Sequence, residues 1–589
     1  MSELAISEKP LSDPLVEKFV ATTQSCINVL FERPDALNQW LLFDELLTRF
    51  DSLAENEALP LVAQIIDQAG APHIARMLAR RATERFGDSA FAWYLYGRSL
   101  LLISTNAKEA GPLLERAWAL DPNADPLLPL CRAAAFIAGK RYVEAEQACR
   151  YMLKRQPGSA DAFSNLGVAL RMQYRSAEAV KACEAALRLD PEHPHAHVNL
   201  ALALIDDWRF DDALVFLRRM VEKHPEDDRL RLPLGELELR LGQWQTGWAN
   251  MHARFSLTGL REQLYAREHD CGVPQWRGES LEGRTLGVWL EQGYGDAIWL
   301  IRFLPMIAER VRAEGGKLVF GCFGPVADLF RPLIPHDVML NVDFLAPTSY
   351  HIPLMSCGAL FGFASDSLPG TPYLNAGPNR IGRWRKKLGV GDGKMHVALA
   401  WTGNPVQPRN DARSLPVLQL EKLLAMDNVV FHSVNPNCSE VATTLRQKGL
   451  NVIDWGPELK NFISTAALLQ AVDCVVTTCT STAHLAGAVG APTVLMLDRV
   501  GSFIWGREQE SSPWYDSIRI IRQKHFGDWS DVVDATRAAL AARLGTPEEA
   551  APAAKGAKKT KARRTTTTSK ATGSKRKSTP RTKEAPPAE

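Results

Sequence analysis

No run of 18 or more apolar residues occurs in this chain of 589 residues, so no membrane-spanning helix is expected. Its first residues, MSELAISEKPLSDPLVEK, have neither a basic start nor an apolar core, so no secretory signal is read there. Ten cysteines are scattered without a Cys-x-x-Cys or any paired spacing. That argues against a disulfide framework and for a reducing compartment, with Cys131, Cys149 and Cys183 packing inside helices. There is no Asp-x-Asp, and no cluster of His, Cys and Asp has ligand spacing, so no metal and no cofactor is expected. A cytoplasmic protein fits these absences.

What is present is an ordinary globular composition, 46% hydrophobic, in a chain long enough for two to four domains. The net charge of +2 hides an asymmetry. Residues 551–589 hold 12 Lys and Arg against two acids, so this end carries +10 and the remainder −8. Rich in Lys, Ala, Thr and Pro and without periodicity, residues 546–589 read as a disordered basic tail. Such a tail can touch nucleic acid, an anionic membrane or an acidic partner, or simply keep the chain soluble; it lacks the interleaved aromatics that stack on bases.

Residues 1–90 read as helical. From 91 to 255 a 34-residue pattern recurs, clearest in ADAFSNLGVALRMQYRSAEAVKACEAALRLDPEH at 160–193. Leu166, Gly167 and Leu170 mark a first helix; Ala179, Cys183 and Ala186 mark a second; Pro191 closes the unit. Shifted by one period, Leu200, Ala201, Leu204, Ala213, Leu217 and Pro225 fall into place. This is the tetratricopeptide (TPR) period, and such repeats stack into a superhelix whose concave face commonly holds peptide or protein. Asn165 and Asn199 share one repeat position and are read first as local hydrogen-bonders. Residues 228–255 form a last, altered repeat, and 256–283 a linker.

Two α/β units follow, 284–390 and 391–545. In the first, TLGVWLEQGYGDAIWLIRFLP reads as a strand, a Gly293-x-Gly295 turn and a helix opened by Asp296. Asp296 serves there as a helix cap, or as a carboxylate at a cleft mouth able to take a proton from a hydroxyl. In the second, DCVVTTCTSTAHLAGAVGAPTVLML reads as strand, turn, helix and strand. Thr480, Ser481, Thr482 and the helix start offer hydroxyl and N–H donors to a phosphate or diphosphate, with His484 adding another. The plainer alternative is an ordinary Ser/Thr cap and a packing histidine. Asn404 lies in a turn after a strand, Arg409 and Arg413 follow as guanidiniums that could neutralise a diphosphate or merely face water, and Ser433 ends a further strand toward the same cleft.

EQGYGDAIWLIRFLP and CTSTAHLAGAVGAPTVLML resemble the two motifs of bacterial heptosyltransferase-like glycosyltransferases of the two-Rossmann (GT-B) type. YHIPLMSCGALFGF, ALAWTGNPVQPRNDARSLP and SPWYDSIRIIRQKHFGDWSDVV resemble the TPR-fused branch, so the likeness runs through residues 240–535 in order. The resemblance implies a TPR solenoid followed by a GT-B domain of two Rossmann-like units. It implies that Asp296 is the motif's carboxylate, and that Thr480 and His484 bind the diphosphate of a nucleotide-sugar. One departure is Cys479, where many relatives have Asp, which leaves the nucleotide open. The fusion is similar to TPR-bearing protein O-glycosyltransferases, especially those that modify Ser/Thr of flagellin with a nonulosonic acid such as pseudaminic acid. A metal-independent protein O-glycosyltransferase is therefore expected, with flagellin the first acceptor. A transferase building lipopolysaccharide or capsule, and a non-catalytic TPR scaffold with a decayed transferase half, remain as alternatives.

Overall fold

The computed structural model describes residues 47–68, 72–257, 273–291, 293–342, 347–407 and 409–544. The basic tail expected at 546–589 and residues 1–46 of the region 1–90 lie outside them.

The N-terminal part is a stack of antiparallel helix pairs. Second helices begin at Tyr142, Ser176, Phe210 and Trp244, each 34 residues after the last. The turn before each uses the left-handed region at one repeat position: Lys140 (φ 60), Tyr174 (φ 65), Trp208 (φ 64) and Gly242 (φ 76). That conformation ends the first helix and reverses the chain. Small residues set the spacing between the helices: Gly167 has no room for a Cβ against Sγ of Cys183. Asn199 Nδ2 donates to Ser164 Oγ at 2.9 Å, a local hydrogen bond between neighbouring repeats. Helices Glu55–Gln68 and Pro72–Arg85 share one apolar core with Ala90–Leu101, so the stack begins before residue 91.

The C-terminal part holds two parallel sheets. The first has strands β1 (Thr285–Trp289), β2 (Lys317–Cys322), β3 (Met339–Val342) and β4 (Tyr350–Pro353), in the order β3-β2-β1-β4. The second has β5 (Met395–Ala400), β6 (Val429–Ser433), β7 (Val452–Asp454), β8 (Cys474–Thr478), β9 (Thr493–Leu497) and β10 (Ile518–Arg522), in the order β10-β9-β8-β5-β6-β7. Every pairing is parallel, and β5, β6, β8 and β9 are buried on both faces, as helices covering both sides of a sheet require. Each order reverses once, between β1 and β4 and between β5 and β8. Ligands of such sheets bind beyond the strand ends at that reversal.

Residues 258–272 of the expected linker lie outside the described residues, and its end, 273–283, is packed rather than free. Trp276 is buried, its backbone N–H donates to His351 O at 2.8 Å, and Gln275 bridges to the same residue. The last repeat also joins the α/β core. Leu239, Trp248 and Met251 cluster with Leu286, Val288 and Ile298, and Trp248 stacks on Trp299 with ring centroids 5.8 Å apart.

Candidate functional site: two turns that meet at the sheet reversals

Both motifs stand at a reversal. The first is the loop from the end of β1 into the helix Tyr294–Leu300, with Gly293 at its N-cap and Asp296 in its first turn. The second is the loop from β8 into the helix Ser481–Ala488, capped by Thr480, whose Oγ1 accepts from the N–H of Thr482 at 3.3 Å. The chain brings these two helices into contact. A Cβ on Gly295 would lie 3.1 Å from His484 Cδ2 and 3.5 Å from Ser481 Cα. Glycine at 295 is what lets the carboxylate turn and the anion turn approach this closely.

Asp296 is partly buried and lines a small cavity with Leu290, Glu291, Leu354 and Met355. Burial first, then the negative charge of Glu291, pushes its carboxyl up to about 7; its own backbone N–H and Arg413 pull the other way. Glu291 is itself buried and held by Arg254, whose guanidinium donates to it at 2.7, 2.8 and 3.3 Å. A carboxylate with a value near neutrality is suited to general-base work at physiological pH.

On the facing side, Ser481 and Thr482 are partly open to the cleft and Thr480 is nearly buried. Arg413 Nη1 donates to the carbonyl of Cys479 at 2.9 Å, which fixes a cation beside the helix start. Gly403 makes room for that guanidinium, since a Cβ there would collide with Arg413 Nη2. His484 is buried, stacks on Trp505 with centroids 4.9 Å apart, and has Nδ1 3.0 Å from the Tyr515 hydroxyl. Burial pushes it down to about 3, so the ring is neutral at pH 7. Cys479 is buried under Trp505, whose Nε1 donates to its sulfur at 3.1 Å, and burial raises the thiol.

The structure thus gathers Gly293, Gly295, Asp296, Arg413, Thr480, Ser481, Thr482 and His484. Three other expected residues stand differently. Ser433 is fully buried with its Oγ unpartnered, because β6 is covered on both faces; it does not open to the cleft. Arg409 is held between two carboxylates, Asp206 at 3.4 Å and Asp498 at 3.3 Å, so its charge is already matched. Asn404 is exposed, and its Oδ1 accepts from the N–H of Val406 at 3.1 Å in a local turn. Sequence reasoning passed over Glu291, Trp505 and Tyr515. Glu291 sits inside the first motif, and its acidic side chain at a strand end was the available signal. Among the described residues no group of three His, Cys, Asp or Glu could hold a metal ion, and no helix is long and apolar enough to cross a membrane.

Comparison with known proteins supports the repeat reading. Two overlapping matches described as tetratricopeptide repeat cover residues 132–194 and 170–231. Protein FlbA of Caulobacter vibrioides is 28% identical over 342 residues, 54% of this chain and 56% of that protein. The chain therefore spans about half the length of the curated relative it matches. Among solved structures, MamA from Desulfovibrio magneticus RS-1 aligns at 19% identity and a TM-score of 0.26, over 30% of this chain and 99% of that one. A glycosyl transferase family 9 protein from Veillonella parvula DSM 2008 aligns at 10% identity and a TM-score of 0.33, over 46% of this chain and 92% of that one. At such scores the fold is read from the chain's own topology: a tetratricopeptide array followed by an α/β part with two parallel sheets.

Proposed function

We propose that this chain is a glycosyltransferase that moves a sugar from a nucleotide-sugar onto Ser or Thr hydroxyls of a protein held by the repeat array, with flagellin the first acceptor to test. The observation that carries this is the meeting of the Asp296 turn and the Thr480–Thr482 turn across Gly295. One side of the meeting offers a base near neutrality, and the other offers helix N–H groups, hydroxyls and the Arg413 cation.

The chemistry follows from charge. Loss of the nucleotide develops negative charge on its phosphate group, which the start of the helix Ser481–Ala488, the Ser481 and Thr482 hydroxyls and Arg413 stabilise. With the Tyr515 hydroxyl donating to Nδ1 of His484, the neutral ring carries its proton on Nε2, on the edge turned toward Gly295, and presents a further donor. Asp296 takes the proton from the acceptor hydroxyl as it attacks the sugar carbon. Because fixed cations and N–H groups supply the positive charge, this reaction is written without a metal ion. The protein acceptor is supported by the array, since stacked repeats of this kind bind polypeptide on their concave face. Flagellin and a nonulosonic acid are supported by the sequence resemblance.

Intact-mass spectrometry of flagellin and other surface proteins tests this in three strains: one with the chain, one without it, and one carrying Asp296→Asn. Loss of a sugar-sized mass from Ser/Thr in both altered strains is expected. Unchanged protein masses with altered lipopolysaccharide would move the acceptor to a glycan. A mass that persists with Asp296→Asn would remove Asp296 as the base.

A further inference from the structure

The turn residues Lys140, Tyr174 and Trp208, one from each successive repeat, all meet the second α/β half. Lys140 Nζ donates to Asp411 at 2.9 Å. Tyr174 stacks on Phe526 with ring centroids 4.5 Å apart, and Gly527 leaves space for it, since a Cβ there would lie 2.9 Å from Tyr174 Cδ2. The guanidinium carbons of Arg499 and Arg522 lie 4.9 and 5.6 Å from the Trp208 ring centroid. One edge of the array is thus laid along the half that carries the anion turn.

This edge takes hold of the loop 401–416, between β5 and the helix Val417–Leu424. Lys140 holds Asp411, and Asp206, two residues before Trp208, holds Arg409. Asp206 is buried at its helix end, where it accepts from Arg171 Nη1 at 3.1 Å and from Arg409 Nη1 at 3.4 Å. Arg409 Nη2 reaches on to Asp498 at 3.3 Å, just past β9. The short helix Asn410–Arg413 joins Arg409 to Arg413, whose backbone N–H donates to Arg409 O at 3.2 Å. At its far end Arg413 donates from Nε to Asn410 Oδ1 at 3.3 Å and from Nη1 to Cys479 O at 2.9 Å. One short segment therefore has the array at one end and the anion turn at the other. A loop of this length fluctuates unless its side chains are tied down. A cation serves a phosphate best when its place is fixed before the ligand arrives.

We propose that Asp206 is a positioning residue of the donor site: from inside the array it anchors Arg409, and through the helix Asn410–Arg413 it holds the Arg413 guanidinium beside the start of the helix Ser481–Ala488. The role rests on the transferase function proposed above. It makes the grip on the nucleotide depend on the array, whose part in that function was otherwise to hold the acceptor.

The test titrates the full chain calorimetrically with CMP, UDP, GDP and ADP and follows whichever binds most tightly. Asp206→Asn keeps the shape of the side chain and removes its charge. It should weaken that nucleotide about tenfold, and Arg413→Gln should do at least as much. In the double variant the two losses should not add, because Asp206 acts through Arg413. A side chain that merely braced its repeat would cost the same factor with or without Arg413. The exposed pair supplies a second check where Asp206→Asn fails to fold. Lys140→Glu should weaken the nucleotide, and Asp411→Lys added to it should restore binding. Unchanged affinity in Asp206→Asn, additive losses in the double variant, or no recovery on exchanging the Lys140 and Asp411 charges overturns the role of Asp206 and leaves the transferase reading standing. A wild-type chain that binds none of the four nucleotides overturns both.

Discussion

Asp296 is tuned by its surroundings, and the tuning has a stability cost with a definite sign. Its ordinary carboxyl value is 3.8, and burial followed by Glu291 moves it to about 7 in the folded chain. Between those values the folded state holds a proton that the unfolded chain has released, so stability falls as pH rises through that window and stays lowered above it. Asp296→Asn removes the ionisation and keeps the shape. The variant should therefore be more stable than wild type at pH 8, by a few kcal/mol at most, and close to wild type only below the ordinary carboxyl value of 3.8, for example at about pH 3.5. Urea titrations at the two pH values check this, and an equal difference at both would mean that Asp296 is not strained by burial. The same proton governs rate: transfer should climb with pH through about 7, and Asp296→Asn should lower kcat by about 10²–10⁴ while the donor still binds.

At the scale of elements, the site depends on how closely two helix starts approach. Gly295→Ala puts a methyl 3.1 Å from His484 Cδ2 and 3.5 Å from Ser481 Cα, with the histidine ring trapped between Trp505 and Tyr515. The ring cannot swing away, so the helices must separate. A loss of about 1–3 kcal/mol in stability and a larger proportional loss in donor affinity are expected. Calorimetric titration with the donor checks the second; unchanged affinity would show that the anion turn works without the contact. The two turns were legible in the sequence because Gly-x-Gly-Asp and a Thr-Ser-Thr run each follow an apolar strand and open a helix. The repeat was legible because a 34-residue period shows in both residue size and turn position. What could not be read were partners distant in the chain. Arg409 looks free for a phosphate until Asp206, from the array, closes on it. Ser433 looks like a strand-end donor until both faces of β6 are seen to be covered. β3 escaped notice because it is only four residues long and only one of them, Asn341, is buried.

At the scale of the molecule, the boundary near residue 255 that composition suggests is not a boundary in the core. Trp248 donates from Nε1 to Phe363 O at 2.7 Å, and Gly358 has no room for a Cβ against the indole. A few residues on, Arg254 is buried, with an ion pair to Glu291 and a hydrogen bond to Ser356 Oγ at 2.7 Å. The array and the first α/β half thus share both apolar core and charge, and Glu291 in turn bears on Asp296. Arg254→Met should leave a buried carboxylate without its partner and cost about 3–5 kcal/mol. The double variant Arg254→Met, Glu291→Leu should recover much of that, because no charge is then left unpaired. It should also lower the pH at which transfer begins, since Glu291 no longer opposes ionisation of Asp296. Denaturant titration and a pH–rate profile on the same two proteins separate the effects. If the single variant loses under 1 kcal/mol, the seam is not a structural joint. If the double variant regains stability with no shift in the rate profile, Glu291 holds the array in place without tuning the base.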